Sequence, residues 1–161
     1  MTGSDPPDSS VETRLRVSRI IHAAMVVSLV VYAVVVHMLR AVVEWKPVAE
    51  PAVVETVRWL LYGLGAAALM GVLLLRSRFV SAKALGEIAR RAGTGVALRQ
   101  LQTRLIVFLA VSETPAVYGL VLFMLGGVLH DFYLLWAASL IGHLALTPKR
   151  DLWEEVARVR V

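Results

Sequence analysis

Residues 20–39 read IIHAAMVVSLVVYAVVVHML, twenty positions without a Lys, Arg, Asp or Glu. A helix needs about 20 apolar residues to cross about 30 Å of hydrocarbon, so this run is long enough to span a bilayer. Three further stretches read the same way. They are VRWLLYGLGAAALMGVLLL at 57–75, LIVFLAVSETPAVYGLVLFML at 105–125 and HDFYLLWAASLIGHLALT at 130–147. None alternates apolar and polar residues as a membrane strand must. Backbone groups in lipid must be paired within the segment, which a helix achieves alone. The expected fold is therefore all-α: a polytopic membrane protein with four transmembrane helices arranged as two hairpins.

Composition agrees. Apolar residues make up 58% of the 161 and charged residues 18%, well below the roughly 25% of an ordinary soluble domain. The chain has no cysteine, which excludes disulfides, thiolate nucleophiles and Cys-held zinc or iron–sulfur centres. The net charge of +5 is explained by topology rather than by a nucleic-acid partner, and no aromatic-studded basic face accompanies it. Arg14, Arg16 and Arg19 precede the first span. Seven basic residues lie between the second and third, and Lys149, Arg150, Arg158 and Arg160 follow the fourth. By the positive-inside rule both termini and the central loop face the cytoplasm, which predicts a multi-pass protein of the inner (cytoplasmic) membrane. The basic N-terminal region with its long apolar run reads as a retained anchor rather than a cleaved signal.

The expected organisation is a polar tail at 1–19, a transmembrane domain at 20–147 with a basic cytoplasmic loop at 76–104, and a cytoplasmic tail at 148–161. MTGSDPPDSS at 1–10 is read as disordered. Within the loop, Ala82, Leu85, Ile88 and Ala89 recur at helical spacing, predicting a short amphipathic helix over 81–91 on the membrane surface, broken by Gly93 and Gly95. Trp45, Trp59, Tyr62, Phe132, Tyr133 and Trp136 fall near the outer ends of the spans, at headgroup depth. SLVVYAVVVHML can be laid on TPAVYGLVLFML, and LLYGLGAAAL on LLWAASLIGH, as a duplicated hairpin would allow.

One residue stands against the apolar pattern. Glu113 lies near the middle of the third span, where a lone carboxylate costs several kcal/mol unless it is protonated, paired or held in a polar cavity. The neutral acid is its expected resting form. Ser112 and Thr114 offer hydroxyls beside it, and Tyr118 follows five residues on. Pro115 removes a backbone donor and so frees the carbonyl of Val111. A freed carbonyl beside a carboxyl suits a proton or a small cation such as Na⁺. The same residues also suit a protonated glutamate that merely binds one helix to another.

The stretch RLIVFLAVSETPAVYGLVLFML at 104–125 resembles the second helix of the rotor-ring c subunits (proteolipids) of ATP synthases and vacuolar-type ATPases. In that family a mid-membrane carboxylate precedes a small or proline residue and then an aromatic–Gly–Leu–Val run. The resemblance implies that Glu113 is the ion-carrying carboxylate and that Thr114 is a position able to support Na⁺. The run Tyr118–Gly119–Leu120–Val121 follows in register. The small residues from Gly63 to Gly71 are similar to the family's inner helix. The likeness spans about residues 57–127. The loop is longer than the family's turn, the regular glycine repeat and the Na⁺-holding glutamine are missing, and extra helices flank the hairpin.

Four histidines form a second pattern. His22 and His143 fall at the inner ends of the first and fourth spans, and His37 and His130 at the outer ends, giving two depth-matched pairs. Paired imidazoles on neighbouring helices are how b-type haems are held. At 100° per residue, His37 lies about 60° around the helix from His22, and His143 about 140° from His130. One haem on His22 and His143 is therefore the expected alternative, against four histidines serving as interfacial polar contacts. Gly63, Gly65, Gly71, Gly119 and Gly126 offer close-packing surfaces within the chain or between copies. No HExxH motif and no Ser–His–Asp relay is present, so no catalytic activity of its own is expected. The expected partners are the lipid bilayer and either a homo-oligomer or other membrane subunits. The three functional readings are a proton- or cation-binding subunit, a b-haem electron-transfer subunit and a non-catalytic scaffold or assembly protein.

Overall fold

Six helices build the computed structural model, which describes residues 7–43 and 45–159. They are α1 (Pro7–Ala41), α2 (Pro51–Phe79), α3 (Ala82–Ala92), α4 (Thr94–Gly126), α5 (Leu129–Ala145) and α6 (Arg150–Ala157). Four stretches are long and apolar enough to cross a membrane: Val11–Ala41, Pro51–Phe79, Thr94–Gly126 and Leu129–Ala157, with α5 as the apolar part of the last. The chain is an all-α, multi-pass membrane protein.

Local chemistry explains where the helices begin and end. Pro51 opens α2, where its fixed φ suits the first turn and its missing N–H is not needed. Ser81 caps α3 by accepting a bond from the Ala84 N–H at 3.3 Å. Gly93, at φ +92°, both ends α3 and precedes α4. The GTG stretch thus breaks the helix for a single residue. Gly127 closes α4 in the left-handed region at φ +67° and donates to the Phe123 carbonyl at 2.7 Å.

The helices overrun the apolar spans that the sequence marks out. α4 has 33 residues, about 50 Å at 1.5 Å per residue, against about 30 Å of hydrocarbon. Its first three turns lie beyond the span and carry Ala97, Leu98 and Leu101 into a cluster with Val11, Leu15, Leu85, Ala89, Trp153 and Val156. That cluster changes three expectations. The amphipathic helix of the loop packs its Leu85–Gly86–Ala89 face onto protein rather than lying against lipid. The C-terminal segment is a helix, α6, whose Trp153 and Val156 are fully buried. The N-terminal segment is helical from Pro7, because Val11 and Leu15 gain a buried partner surface. Residues 1–6 lie outside the described residues.

In the membrane region α4 is central. It packs on α1, α2 and α5, whereas α1 and α2 make no contact with each other among the described residues. Each of those two lays one narrow face on α4 and turns most of its surface outward, with Val27, Val30 and Val34 of α1 and Leu60, Met70 and Leu74 of α2 all more than half exposed. Small residues set the close contacts. A Cβ at Gly119 would lie 2.9 Å from the Phe132 carbonyl oxygen, and one at Gly142 would lie 3.0 Å from Ser112 Cβ. Gly65 faces Pro115 and Leu135, and Gly126 faces Val54. Gly63 and Gly71 meet nothing within 4 Å. They lie about 160° and 120° around the helix from Gly65, on surface left for lipid or another chain.

Candidate functional site

Met25, Ser28, Leu29, Tyr32 and Val36 recur at the a/d/e-type spacing of i, i+3, i+4, i+7 and i+11, which aligns them on one face of α1. Val36 and Leu29 are fully buried. Ser28 and Tyr32 bring hydroxyls to the same seam, and there they meet Glu113 of α4. Both the Ser28 hydroxyl and the Tyr32 hydroxyl, at 2.8 Å, bond to Glu113 Oε1. Oε2 has no partner among the described residues and is not sealed from the surface. No Lys, Arg or His pairs with this carboxyl among the described residues. From α5, the Trp136 indole N–H donates to the Leu29 carbonyl at 2.8 Å and fastens α1 beside the site.

The hydroxyl protons can be counted. Ser28 Oγ lies 2.7 Å from the Met25 carbonyl as well as against Glu113 Oε1, yet it has one proton to give. With Glu113 ionised, Ser28 and Tyr32 both donate to Oε1. With Glu113 protonated on Oε1, the acid donates to Ser28 Oγ, Ser28 donates to Met25 O, and Tyr32 still donates to Oε1. Both contacts to Oε1 are thus served in either state with the heavy atoms unmoved, whereas the Ser28–Met25 contact carries a proton only when Glu113 is protonated.

Other residues expected at this site lie elsewhere. Ser112 is fully buried on the α5 side, with Oγ 2.8 Å from the Leu109 carbonyl and 3.1 Å from His143 Nδ1. Thr114 Oγ1 turns back along its own helix to the Ala110 carbonyl at 3.5 Å. Val111 packs against the Val72, Leu109 and Leu146 cluster. Tyr118 is half-buried on α4 and has no polar contact with Glu113 among the described residues. Ser139 of α5 flanks the break at Pro115, accepting from the Ala116 N–H at 2.8 Å and donating to the Glu113 carbonyl at 3.4 Å.

Of the two histidine pairs, the inner one is assembled. The His22 and His143 rings lie 6.1 Å apart, inclined by 30°. His143 is fully buried. Its Nδ1 lies 3.0 Å from the Ser139 carbonyl, which can only accept, so Nδ1 carries the proton. Nε2 of both His22 and His143 is buried without a partner among the described residues. The outer histidines are both exposed. His37 pairs with Tyr133, ring centres 6.1 Å apart, and His130 opens α5.

A third polar group was not anticipated as a unit. Asp131 of α5 is only 3% exposed and accepts from Arg58 Nε and from the Tyr62 hydroxyl of α2, each at 2.8 Å. Arg58 also meets Glu55 at 2.5 Å, and Glu55 accepts from the Trp59 indole at 2.7 Å. The signal in the sequence was a pair of opposite charges at matching depth, two turns into α2 and one turn into α5. Tyr62 and Trp136, expected as headgroup anchors, are engaged inside the bundle instead.

No family model matches the chain, and neither a curated protein nor a solved structure shows a significant match to it.

Proposed function

We propose that this chain is a proton-binding membrane subunit whose working group is Glu113. The observation that carries the reading is the convergence of the Ser28 and Tyr32 hydroxyls on Glu113 Oε1, within a membrane-spanning helix, without a cation. Such a carboxyl can gain or lose a proton with little rearrangement, because its hydroxyl partners serve either state. A proton is favoured over Na⁺. Only three side-chain groups meet here, and Ser112 and Thr114 turn away, whereas hard cations call for about six oxygens.

The likeness to rotor-ring proteolipids supports the same chemistry at the same residue. The small-residue helix α2 does lie on the carboxylate helix α4, with Gly65 against Pro115. The acid here is turned to α1, a helix that the rotor hairpin lacks, so the proposal is a site of that kind rather than a rotor ring. The accessible Oε2 leaves the second half of the site to a neighbouring copy or another membrane subunit. By the positive-inside rule the α3 and α6 end faces the cytoplasm.

Carbodiimide labelling of the full chain in mild detergent tests this, with Glu113→Gln as control. Labelling confined to Glu113, falling as the pH is raised and indifferent to Na⁺, is the expected result. Protection by Na⁺ at fixed pH would replace the proton with a cation. An unreactive Glu113 in folded protein would end the reading and leave the residue as a helix fastener.

A second reading rests on the inner histidines. Two imidazoles ligating one ion from opposite sides, each at about 2.0 Å, have ring centres about 6 Å apart, close to the 6.1 Å found. A carbonyl-fixed Nδ1–H with Nε2 left open is the arrangement a histidine ligand needs. It ranks second because a porphyrin needs a slot between the two rings, and neither the groove between α1 and α6 nor the small recess beside Pro148 and Trp153 is lined by His22 or His143. A Soret band with sharp α and β bands on reduction would establish a b-type haem there, and colourless protein purified from haem-replete cells would remove it.

A further inference from the structure

Where α1 enters the bundle it forms a groove with α6, a cavity of about 760 Å³ that reaches Arg16, Arg19, Arg150 and Arg158. Its floor is apolar, with Val11, Leu15, Ile20 and Ala23 along α1. Two carboxylates share the groove with the four guanidiniums, Glu12 and Glu154. Glu154 is engaged twice, by Arg150 at 2.6 Å and by Arg158 at 3.2 Å. Arg16 and Arg19 are exposed and have no carboxylate partner among the described residues. Four arginines against two carboxylates give the groove a net charge of +2 over an apolar floor, with Arg16 and Arg19 outside any ion pair among the described residues.

The apolar surface does not stop at the groove. Ile20, Ala23, Val27, Val30 and Val34 continue from it along one outward face of α1, at three- and four-residue steps, and the large ones among them are more than half exposed. Half a bilayer is about 15 Å of hydrocarbon, which ten helical residues cover, as from Ile20 to Val30. A cationic recess at the end of an apolar strip of that length matches an amphiphile with an anionic head. A soluble anion would use the arginines and leave the strip idle.

We propose that this groove binds one anionic phospholipid of the adjoining leaflet, its phosphate between Arg16 and Arg19 and an acyl chain along α1 from Ile20 toward Val34. Basic recesses between helices at the membrane surface are suited to such headgroups, at about 1 kcal/mol per basic residue near the surface.

The test uses the full chain in neutral detergent, titrated with phosphatidylglycerol or phosphatidylcholine and read by native mass spectrometry and by melting temperature. Phosphatidylglycerol should bind with at least tenfold preference and raise the melting temperature. Arg16→Gln/Arg19→Gln should abolish most of that preference, a loss of up to about thirtyfold for two charges at the value above. Lys83→Gln/Arg90→Gln, which removes as many charges from exposed sites on α3, should lose little. Arg16→Lys/Arg19→Lys retains the charge and should retain most of the preference, so that poor folding of the glutamine variant cannot hide the answer. Equal binding of the two lipids, or equal loss in the α3 control, would overturn the proposal in favour of diffuse attraction. Full stabilisation by inorganic phosphate alone would overturn it in favour of a soluble-anion site.

Discussion

Two carboxylates sit in two seams of this bundle, and they are treated in opposite ways. Asp131, between α2 and α5, is sealed and held by a guanidinium and a phenol. Glu113, between α1 and α4, meets only hydroxyls among the described residues and keeps one oxygen open to the surface. A buried acid beside a fixed cation is committed to its charge, since losing it would strand the partner. An acid among hydroxyls has no such commitment, because each hydroxyl can accept as well as donate. The first seam is built to stay as it is, and the second tolerates a change of protonation.

Breaking the first seam should have the largest effect. Arg58→Met leaves Asp131 charged and buried, and should destabilise the fold by about 3–5 kcal/mol, measured by unfolding in mixed micelles. Arg58→Met/Asp131→Leu should recover most of that loss, because neither charge is then stranded. Full stability in the single variant would mean that the pair is solvated and the contrast false. Next in size is Ser139→Ala. It removes the side-chain acceptor of the Ala116 N–H beside Pro115 and should cost about 1.5 kcal/mol, with faster amide exchange centred on Ala116.

The second seam should respond less. Tyr32→Phe removes one hydrogen bond, worth about 1 kcal/mol, and a double-mutant cycle with Glu113→Leu, which cannot accept from Tyr32, should show coupling of that order. Zero coupling would separate Tyr32 from the carboxyl. The smallest change is expected for Glu113→Gln itself. Its amide oxygen still accepts from Ser28 and Tyr32, so stability should shift by less than about 1 kcal/mol while carbodiimide labelling is lost altogether. A loss comparable to that of Arg58→Met would make Glu113 a structural residue like Asp131.

The membrane-spanning fold was legible because the bilayer imposes it: long uncharged runs such as 20–39 have few other solutions. Glu113 was legible for the same reason, as a charge where none is expected. Its partners were not. Ser28 and Tyr32 lie 85 and 81 residues away, and nothing local says which face of α1 meets α4. The neighbours Ser112 and Thr114 drew attention by adjacency, but successive helical residues point about 100° apart. The inner histidines could be paired by depth alone. The cluster outside the membrane stayed hidden because α3 and α6 are short, and their apolar faces read equally well as facing lipid or protein.

That α1 and α2 do not touch each other, and meet their membrane-embedded partners only in α4 and α5, has a consequence for biosynthesis. Among the described residues α1 and α2 have no partner within the bilayer until α4 emerges, so the two enter it without packing on each other. Arg58 is the charged group that must wait, since its acid is 73 residues downstream. At about 5–20 residues per second, a ribosome needs roughly 4–15 s to cover that distance. In that interval Glu55, one turn before it at 2.5 Å, is the acid within reach of Arg58. An early stall or truncation ahead of Asp131 therefore leaves a membrane-embedded arginine without its buried counter-charge, which is the kind of feature that membrane quality control can read.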